Sequence, residues 1–280
     1  STAAIASAAP TPSFMGLGDL PGGSYSSRAS GVSADGSVVA GWSTSSCTTP
    51  DSCTTEMFRW ESGTMTGLGF PGGSSPLPFS GAQAISADGS ILAGSASSDE
   101  GTNEPIRWEN GAFTRLGRIP GYGNNAHQLT GMSADGQRVV GWGYDALGAR
   151  TQGWLWENGI MIGLGSLAPD PFNEFSSANG ISGDGDVVVG STNSPDGMQA
   201  FRWENGMMSA LGVLIPTDPI EGLVLQSAAA DASYDGNVIV GASRAINYKD
   251  YDRVEAFRWS DGVMTGLGDL PGGAFASYAS

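Results

Sequence analysis

One phrase occurs five times along this chain at nearly regular spacing. It reads SADGSVVAG at 33–41, SADGSILAG at 86–94, SADGQRVVG at 133–141, SGDGDVVVG at 182–190 and SYDGNVIVG at 233–241. Self-similarity at periods of about 20 to 50 residues is the sequence signature of repeat architectures. Steps of 53, 47, 49 and 51 residues separate the aspartates of the phrase, which are Asp35, Asp88, Asp135, Asp184 and Asp235.

Two further phrases keep pace with the first, and together they predict four strands per unit. The second reads FRWESG, IRWENG, WLWENG, FRWENG and FRWSDG, and the third reads MTGLG, FTRLG, MIGLG, MSALG and MTGLG. Asp-Gly favours a tight hairpin, because both central residues of a type I′ turn need positive φ. The β-branched run after it favours a strand, and the Asn-Gly or Asp-Gly of the second phrase predicts another hairpin.

A four-stranded meander that is apolar on both faces needs neighbours to cover it. The sequence therefore predicts an all-β fold, a β-propeller of about five four-stranded antiparallel blades, with the terminal strands completing or extending the ring. An open β-solenoid is the alternative, although its repeats are usually shorter. We expect residues 1–13 to be a flexible lead-in and residues 14–280 to form the propeller. Its units lie near 14–65, 66–113, 114–161, 162–208 and 209–264, with a partial unit at 265–280.

The combined pattern GLGDLPGGSYSSRASGVSADGSVVAG…FRWESG resembles the HAF repeat, a bacterial repeat found in secreted proteins and in autotransporter-type surface proteins. The resemblance covers residues 14–280. It departs at Leu155, where Arg is usual, and at 216–225, where the PGG turn is lost. The resemblance implies an extracellular location and a repeat fold rather than a particular activity.

The octapeptide GLGDLPGG occurs at 16–23 and again at 266–273, which gives the chain six copies of the outermost strand for five sets of the other three. Three explanations are open. The chain is a segment of a longer protein, or a complete ring carries one extra strand, or the spare strand pairs with the next molecule. An unpaired edge strand is a template for another chain, and head-to-tail exchange gives a filament.

Composition excludes several classes of partner. The formal net charge is −16, so phosphate backbones and anionic lipids are repelled, and we expect no nucleic-acid binding. No apolar run approaches the roughly 20 residues of a membrane-spanning helix, which predicts no direct insertion into a membrane. The 44 glycines suit short strands and tight turns.

Cys47 and Cys53 are the two cysteines, and they lie in a polar stretch rich in Ser and Thr. We expect a disulfide that clips this loop; free thiols are the alternative, and a metal pair would need further Cys or His ligands. A clipped loop indicates an oxidising compartment. The opening STAAIASAAPTPS is typical of a lead-in left after removal of a secretion signal.

The sequence offers little material for catalysis, and we expect no enzyme activity, no cofactor and no metal. His127 is the one histidine, and we interpret it as a structural or solvated loop residue. A pair of acids could serve a glycosidase, but the repeated aspartates fall in hairpin turns, which turn chemistry explains. Asp184 and Asp186 offer too few oxygen ligands for calcium.

Each unit also carries one tryptophan at a fixed position. These residues predict packing between blades rather than a sugar-binding set, because every unit keeps one. The neighbouring arginines of the second phrase are expected to stack on adjacent blades or to pair with acids. The five tryptophans are Trp60, Trp108, Trp156, Trp203 and Trp259.

The loops between the second and third strands differ widely from unit to unit. A rigid scaffold with variable loops is how binding surfaces are usually built. The candidate binding residues in these loops are Tyr144, Tyr248, Tyr251 and Arg253. We therefore expect a secreted or cell-surface, non-catalytic binding, adhesion or assembly module, whose partner is itself, an extracellular protein or a glycan. The alternatives are a subunit that polymerises by terminal strand exchange, a lectin-type carbohydrate binder and, least favoured, an acid-pair glycosidase.

Overall fold

The structure is a computed structural model that describes residues 14–49, 52–72, 75, 77–99, 102–122, 127–145, 147, 150–168, 170, 174–215, 224–246, 252–271 and 276–279. Within these residues every regular element is a β-strand, and the strands form five separate four-stranded antiparallel sheets. In each sheet the strands are hydrogen-bonded in chain order, as the repeated phrases predict.

We name the sheets blades 1 to 5. Blade 1 contains β1 (Ser27–Val32), β2 (Val38–Thr49), β3 (Ser52–Glu61) and β4 (Thr64–Gly67). Blade 2 contains β5 (Ser80–Ile85), β6 (Ile91–Ser97), β7 (Asn103–Glu109) and β8 (Ala112–Arg115). Blade 3 contains β9 (His127–Met132), β10 (Arg138–Tyr144), β11 (Thr151–Glu157) and β12 (Ile160–Gly163). Blade 4 contains β13 (Ser176–Ile181), β14 (Val187–Ser194), β15 (Gly197–Glu204) and β16 (Met207–Gly212), and blade 5 contains β17 (Val224–Ala232), β18 (Ile239–Ile246), β19 (Asp252–Ser260) and β20 (Val263–Gly266).

The two hairpins of each blade use different turns, and one expectation is wrong. Between the third and fourth strands both central residues have positive φ, as at Asn110 (51°) and Gly111 (82°), which is the type I′ arrangement. Between the first and second strands only the glycine has positive φ, for example Gly36 at 75°. There Gly36 N–H donates to the Ser33 carbonyl, and the hydroxyl of Ser33 supports the turn. The Asp-Gly pair is therefore not a type I′ turn.

The glycine that ends each nine-residue phrase, such as Gly94 at the end of SADGSILAG, is required because two strands approach closely there. A Cβ on Gly94 would lie 1.9 Å from the carbonyl oxygen of Gly81 on the neighbouring strand. The same distance separates a Cβ on Gly41 from the Arg28 carbonyl oxygen. The first strand of each blade bulges opposite this glycine, for example between Ala82 and Ala84. The glycine thus lets the bulged first strand lie against the second strand.

Consecutive blades pack face to face through apolar side chains. We call the face toward the preceding blade the leading face and the face toward the following blade the trailing face. Successive residues of the second strand point alternately to the leading and the trailing face. At the first interface, Ala40 on the trailing face of blade 1 shares a buried cluster with Leu92 on the leading face of blade 2. The corresponding pairs at the next three interfaces are Ala93 with Val139, Val140 with Val188, and Val189 with Ile239. This arrangement of meanders is a β-propeller.

The fourth strand of blade 5 directly precedes the C-terminal copy of the octapeptide and shares Gly266 with it. Strand β20 pairs with β19 and completes the sheet. The N-terminal copy lies against blade 1 instead, where Leu20 N–H donates to the Ser43 hydroxyl at 3.1 Å. Four buried clusters join blades 1 to 2, 2 to 3, 3 to 4 and 4 to 5. In the described part of the chain, no such cluster joins blade 5 to blade 1.

Candidate functional site

The five repeated aspartates hold their own turns together. Asp88 accepts hydrogen bonds from the Ser86 hydroxyl at 2.6 Å and from Ser90 N–H at 3.0 Å, and the Ser86 hydroxyl accepts from Ile91 N–H at 3.0 Å. The Ser86 hydroxyl, Ser90 N–H and Ser90 hydroxyl lower the pKa of Asp88 to about 2. In blade 1, Ser37 N–H and the Ser33 and Ser37 hydroxyls likewise lower the pKa of Asp35 to about 2. The other three blades repeat this pattern. The serine two residues before the aspartate and the backbone N–H two residues after it donate to Asp135, Asp184 and Asp235.

Four of the five tryptophans lie at interfaces between blades. Trp156 is part of the cluster between blades 2 and 3, and Trp108, Trp203 and Trp259 pack against the clusters before their own blades. Each lies on the leading face of its blade. Trp60 has the same position in blade 1 and is half-buried.

Two of the four arginines of the FRW phrase, Arg59 and Arg107, connect neighbouring blades, whereas the bonds of Arg202 and Arg258 are to Glu204 and Ser260 of their own blades. Arg107 Nε donates to the Gly136 carbonyl of blade 3 at 3.0 Å, and its Nη1 pairs with Glu109 at 2.7 Å. Arg59 does the same with the Gly89 carbonyl of blade 2 and with Glu61. In blade 3, where Leu155 replaces the arginine, Arg138 bridges Glu157 at 2.8 Å and Asp186 of blade 4 at 2.5 Å. These charged groups are engaged in holding blades together.

Asp186 is thereby unsuited to a calcium site. Its carboxylate is paired with Arg138, and Asp184 is bonded within its turn. Throughout the described residues, no group of three or more His, Cys, Asp and Glu side chains is arranged to hold a metal ion.

Cys47 and Cys53 form a disulfide, and they are direct partners in the hairpin of β2 and β3. A disulfide is typical of proteins outside the reducing cytosol. The part of the chain that the structure describes contains no helix long and apolar enough to cross a membrane.

The candidate loop residues have different outcomes. Tyr144 ends β10 and makes an edge-on contact with Trp142, with ring centroids 5.2 Å apart. Arg253 lies in β19 and is exposed. Tyr248 and Tyr251 lie outside the described residues. The two described candidates, Tyr144 and Arg253, lie in different blades and are not brought together.

A partly buried polar cluster beside Tyr144, with Asp145 as its buried member, was missed from the sequence. Asp145 is 5% exposed and accepts from Arg150 Nε at 3.0 Å, while Arg150 Nη1 lies 3.8 Å from Glu174. The Tyr122 hydroxyl is buried and has no hydrogen-bond partner among the residues that the structure describes. Burial, followed by the Glu174 charge, raises the pKa of Tyr122. We call Tyr122, Asp145, Arg150 and Glu174 the blade 3 cluster; its only sequence signal is that the loop of blade 3 differs from the others.

His127 departs from its expected place. It is the first residue of β9 and is 2% exposed, so it is a buried strand residue rather than a loop residue. Its Nε2 accepts from Ile119 N–H at 3.4 Å. His127 occupies the position at which Ser80 and Ser176 stand in blades 2 and 4, and those serines bind the linker between blades. Its role in the structure is to anchor the linker before blade 3.

A cavity of about 580 Å³ lies along the first strands of blades 3, 4 and 5. Thr130, Asn179 and Asp231 contribute polar groups to it, and Tyr234 lies at its wall. Among the described residues that line it, Asp231 is the one carboxylate, and it accepts from Ala232 N–H at 2.8 Å. Glycosidases of the acid-pair type need two carboxyl groups facing one bond. Sequence comparison within the chain could have found Asp231, because the matching positions in the other blades are Gly or Ala.

The sequence matches no protein-family model, and no curated protein is significantly similar to it. Solved structures with a similar fold include a protein described as a dipeptidyl aminopeptidase IV from Bacteroides ovatus, with a TM-score of 0.53, 11% identity, and coverage of 86% of this chain and 39% of that one. A protein described as TolB from Agrobacterium tumefaciens gives a TM-score of 0.46 and 14% identity over 86% of this chain and 79% of that chain. TolB from Acinetobacter baumannii gives 0.45 and 13%, over 84% of this chain and 53% of that one. At these identities the likeness concerns the fold alone.

Proposed function

We propose that this chain is a secreted or cell-surface β-propeller that acts as a non-catalytic binding, adhesion or assembly module, of the kind that the HAF-like repeat suggests. One observation carries the proposal. The repeated polar residues hold turns and interfaces, as Asp88 and Arg107 illustrate, while the loops between second and third strands vary. A scaffold whose repeated groups are occupied by folding leaves recognition to its variable loops.

A glycan is the partner that the loop of blade 3 favours. Trp142 and Tyr144 form an aromatic pair at the end of β10, and Tyr144 leads directly into the buried Asp145. The buried Tyr122 hydroxyl, which has no partner among the described residues, lies within the same cluster. An aromatic ring beside carboxylate, guanidinium and hydroxyl groups can stack on a sugar ring and bond its hydroxyls. This observation supports the lectin-type alternative.

A glycan array probed with the whole chain tests this role. We expect binding to a restricted set of glycans that falls about tenfold for Tyr144→Ala, since one stacking side chain contributes roughly 1 to 2 kcal/mol. Leu147→Ser is the matched control, because Leu147 is 88% exposed in the same loop. An equal loss of glycan binding in both variants, or no glycan binding at all, would reject the lectin-type alternative.

Two further assays separate the remaining classes. Incubation with bacterial and plant polysaccharides should release no reducing ends, and release would overturn the non-catalytic proposal. Capture of extracellular proteins by the immobilised chain, compared between wild type and Tyr144→Ala, tests protein binding through the same loop. A chain that binds neither glycan nor protein nor a further copy of its repeat would contradict the binding and assembly role.

A further inference from the structure

A further cavity, of about 410 Å³, lies between the first strands of blades 1 and 2. Trp42 and Phe79 contribute aromatic rings to its lining, and Arg28 and Gln83 contribute polar groups. Arg28 and Trp42 are direct partners in the pairing of β1 with β2, while Phe79 comes from the linker that enters blade 2. We call Arg28, Trp42, Phe79 and Gln83 the blade 1–2 site. None of these residues belongs to the blade 3 cluster.

A glycine leaves room beside the two rings of this site. A Cβ on Gly81 would lie 3.2 Å from Cζ of Phe79 and 3.4 Å from Cβ of Trp42. In blade 4 the same position is Ser177, and there Trp142 of the preceding blade stands where Trp42 stands in blade 1. A side chain at position 81 would therefore narrow the cavity beside both rings.

The aromatic residues of the site are not used to stabilise one another. Trp142 makes an edge-on contact with Tyr144, whereas Trp42 and Phe79 are half-buried and have no ring contact with a described residue. The residues that correspond to Trp42 in blades 2, 4 and 5 are Ser95, Ser191 and Ala242. The fold therefore does not require a tryptophan at this position. A half-buried ring of this kind can stack on the apolar face of a sugar ring.

The amide of Gln83 does not join neighbouring blades, although its counterparts do. Gln83 is the bulged residue of the first strand in blade 2. In blade 3 the bulged residue Thr130 donates to the Ala178 carbonyl of the next blade at 2.9 Å. In blade 4 the bulged residue Asn179 donates likewise to the Ala229 carbonyl at 2.8 Å. The Nε2 group of Gln83 makes no hydrogen bond to a described residue, so it is a donor that a ligand can use.

The guanidinium of Arg28 is also not engaged by the fold. Arg28 is exposed and forms no ion pair or hydrogen bond with a described residue. Arg59 and Arg107, by contrast, are paired with Glu61 and Glu109. An unpaired guanidinium presents several N–H donors in a planar fork that matches the two oxygens of a carboxylate. The site therefore favours a ligand that combines a ring with a carboxylate.

We propose that the blade 1–2 site binds one carboxylated sugar residue, a uronate, whose ring lies against Trp42 and whose carboxylate is held by Arg28. The amide of Gln83 donates to an oxygen of the same sugar. The net charge of −16 opposes an extended polyanion, whereas a single carboxylate at a guanidinium interacts within the screening length of about 8 Å at physiological ionic strength. The favoured ligand is therefore a glycan with one acidic residue. This is a second site, beyond the loop of blade 3, and it has a defined ligand class.

An NMR titration of the full chain, labelled with ¹⁵N, tests the site with three probes. They are methyl glucuronide, the neutral methyl glucoside, and acetate, which carries a carboxylate without a ring. We expect saturable binding of the glucuronide that shifts the indole N–H signal of Trp42, which is identified by its absence from Trp42→Ser. The glucoside and acetate should each bind roughly tenfold or more weakly, because each lacks one of the two interactions.

The repeats supply substitutions that the fold already tolerates. Arg28→Gln introduces the residue that blade 3 has at this position, Gln128, and should remove the preference for glucuronide over glucoside. Trp42→Ser should weaken binding of both sugars roughly tenfold, and Gly81→Ser should do the same by narrowing the cavity. Arg258→Gln is the matched control, because it removes the same charge from an exposed arginine of blade 5 and should leave the glucuronide affinity unchanged.

Three results would overturn the proposal. They are no saturable binding of the glucuronide, equal affinity for the glucuronide and either of the other probes, and equal loss of affinity in Arg28→Gln and Arg258→Gln, which would indicate long-range charge alone. Tyr144→Ala should leave the glucuronide affinity unchanged, and Arg28→Gln should leave glycan binding by the loop of blade 3 unchanged. Failure of this site is therefore distinguishable from failure of the proposed function.

Discussion

At the scale of single residues, serine and aspartate form one unit in every blade. The Ser86 hydroxyl is buried, donates to Asp88 and accepts from Ile91 N–H. The serine is as constant as the aspartate, since Ser33, Ser133, Ser182 and Ser233 accept from the matching backbone N–H groups. The sequence indicated a turn at this position but assigned it to the wrong type, because the Asp-Gly pair alone does not reveal the local hydrogen bonds of the preceding serine.

Replacing this serine tests its contribution. Ser86→Ala should lower the free energy of unfolding by about 1 to 3 kcal/mol, because a buried amide and a carboxylate each lose a partner. Ser90→Ala is the matched control: Ser90 also donates to Asp88 but is exposed, so its loss should cost less than about 0.5 kcal/mol. Urea denaturation followed by tryptophan fluorescence measures both. Equal effects would contradict this account of the turn.

The same carboxylates predict how stability depends on pH. The hydrogen bonds that depress the pKa of Asp35 and Asp88 to about 2 stabilise the charged form in the folded state. Their contribution is therefore complete above the unfolded-state pKa of about 4, and it is lost as the pH falls from about 4 to about 2. Thermal midpoints recorded between pH 7 and pH 2 should decline mainly in that window. Asp88→Asn should decline less there, and an unchanged decline would contradict the assignment.

At the scale of elements, the hairpin between the third and fourth strands is fixed by its own residues. Ser62, Asn110, Asn158, Asn205 and Asp261 all have φ between 51° and 53°. Each is followed by glycine, so the strand pair is joined by a two-residue turn in every blade. The sequence predicted this hairpin because both positions prefer residues that tolerate positive φ.

Asn110 gives a direct test of that turn. Asn110→Ala should destabilise the protein by about 1 to 2 kcal/mol, since alanine is strained in the left-handed region. Asn110→Gly should be close to neutral, because glycine adopts this conformation without a Cβ penalty. Differential scanning calorimetry of the two variants measures the contrast. Equal melting temperatures would show that the turn does not require positive φ at this position.

At the scale of the whole molecule, stability depends on stacking of blades. Leu164 is 7% exposed in the cluster between blades 3 and 4, whereas Leu267 has the same place in its own unit and is 56% exposed. Leu164→Ala should cost about 2 to 5 kcal/mol, and Leu267→Ala less than about 0.5 kcal/mol. Guanidinium denaturation at equal protein concentration distinguishes them. A large cost at Leu267 would mean that the trailing face of blade 5 is covered in solution.

The sequence by itself determined the repeat, the four strands of each blade, their order and the alternation of faces. These follow from local rules, because Asn-Gly closes a hairpin and period-two patterning assigns each side chain to a face. It also predicted the Cys47–Cys53 pairing. For the candidate site in blade 3 it identified only Tyr144, since the described Arg253 lies exposed in blade 5, and it missed Asp145 and Asp231.

Only the tertiary structure decided which of the repeated side chains are buried and which are exposed. Identical phrases have different surroundings at different places in the stack, so Leu164 is buried and Leu267 is exposed although their sequence contexts match. The buried His127 likewise contacts the linker from the preceding blade, from whose Ile119 N–H it accepts a hydrogen bond. Burial is set by which blade stands next to a residue, and a local phrase carries no information about that neighbour.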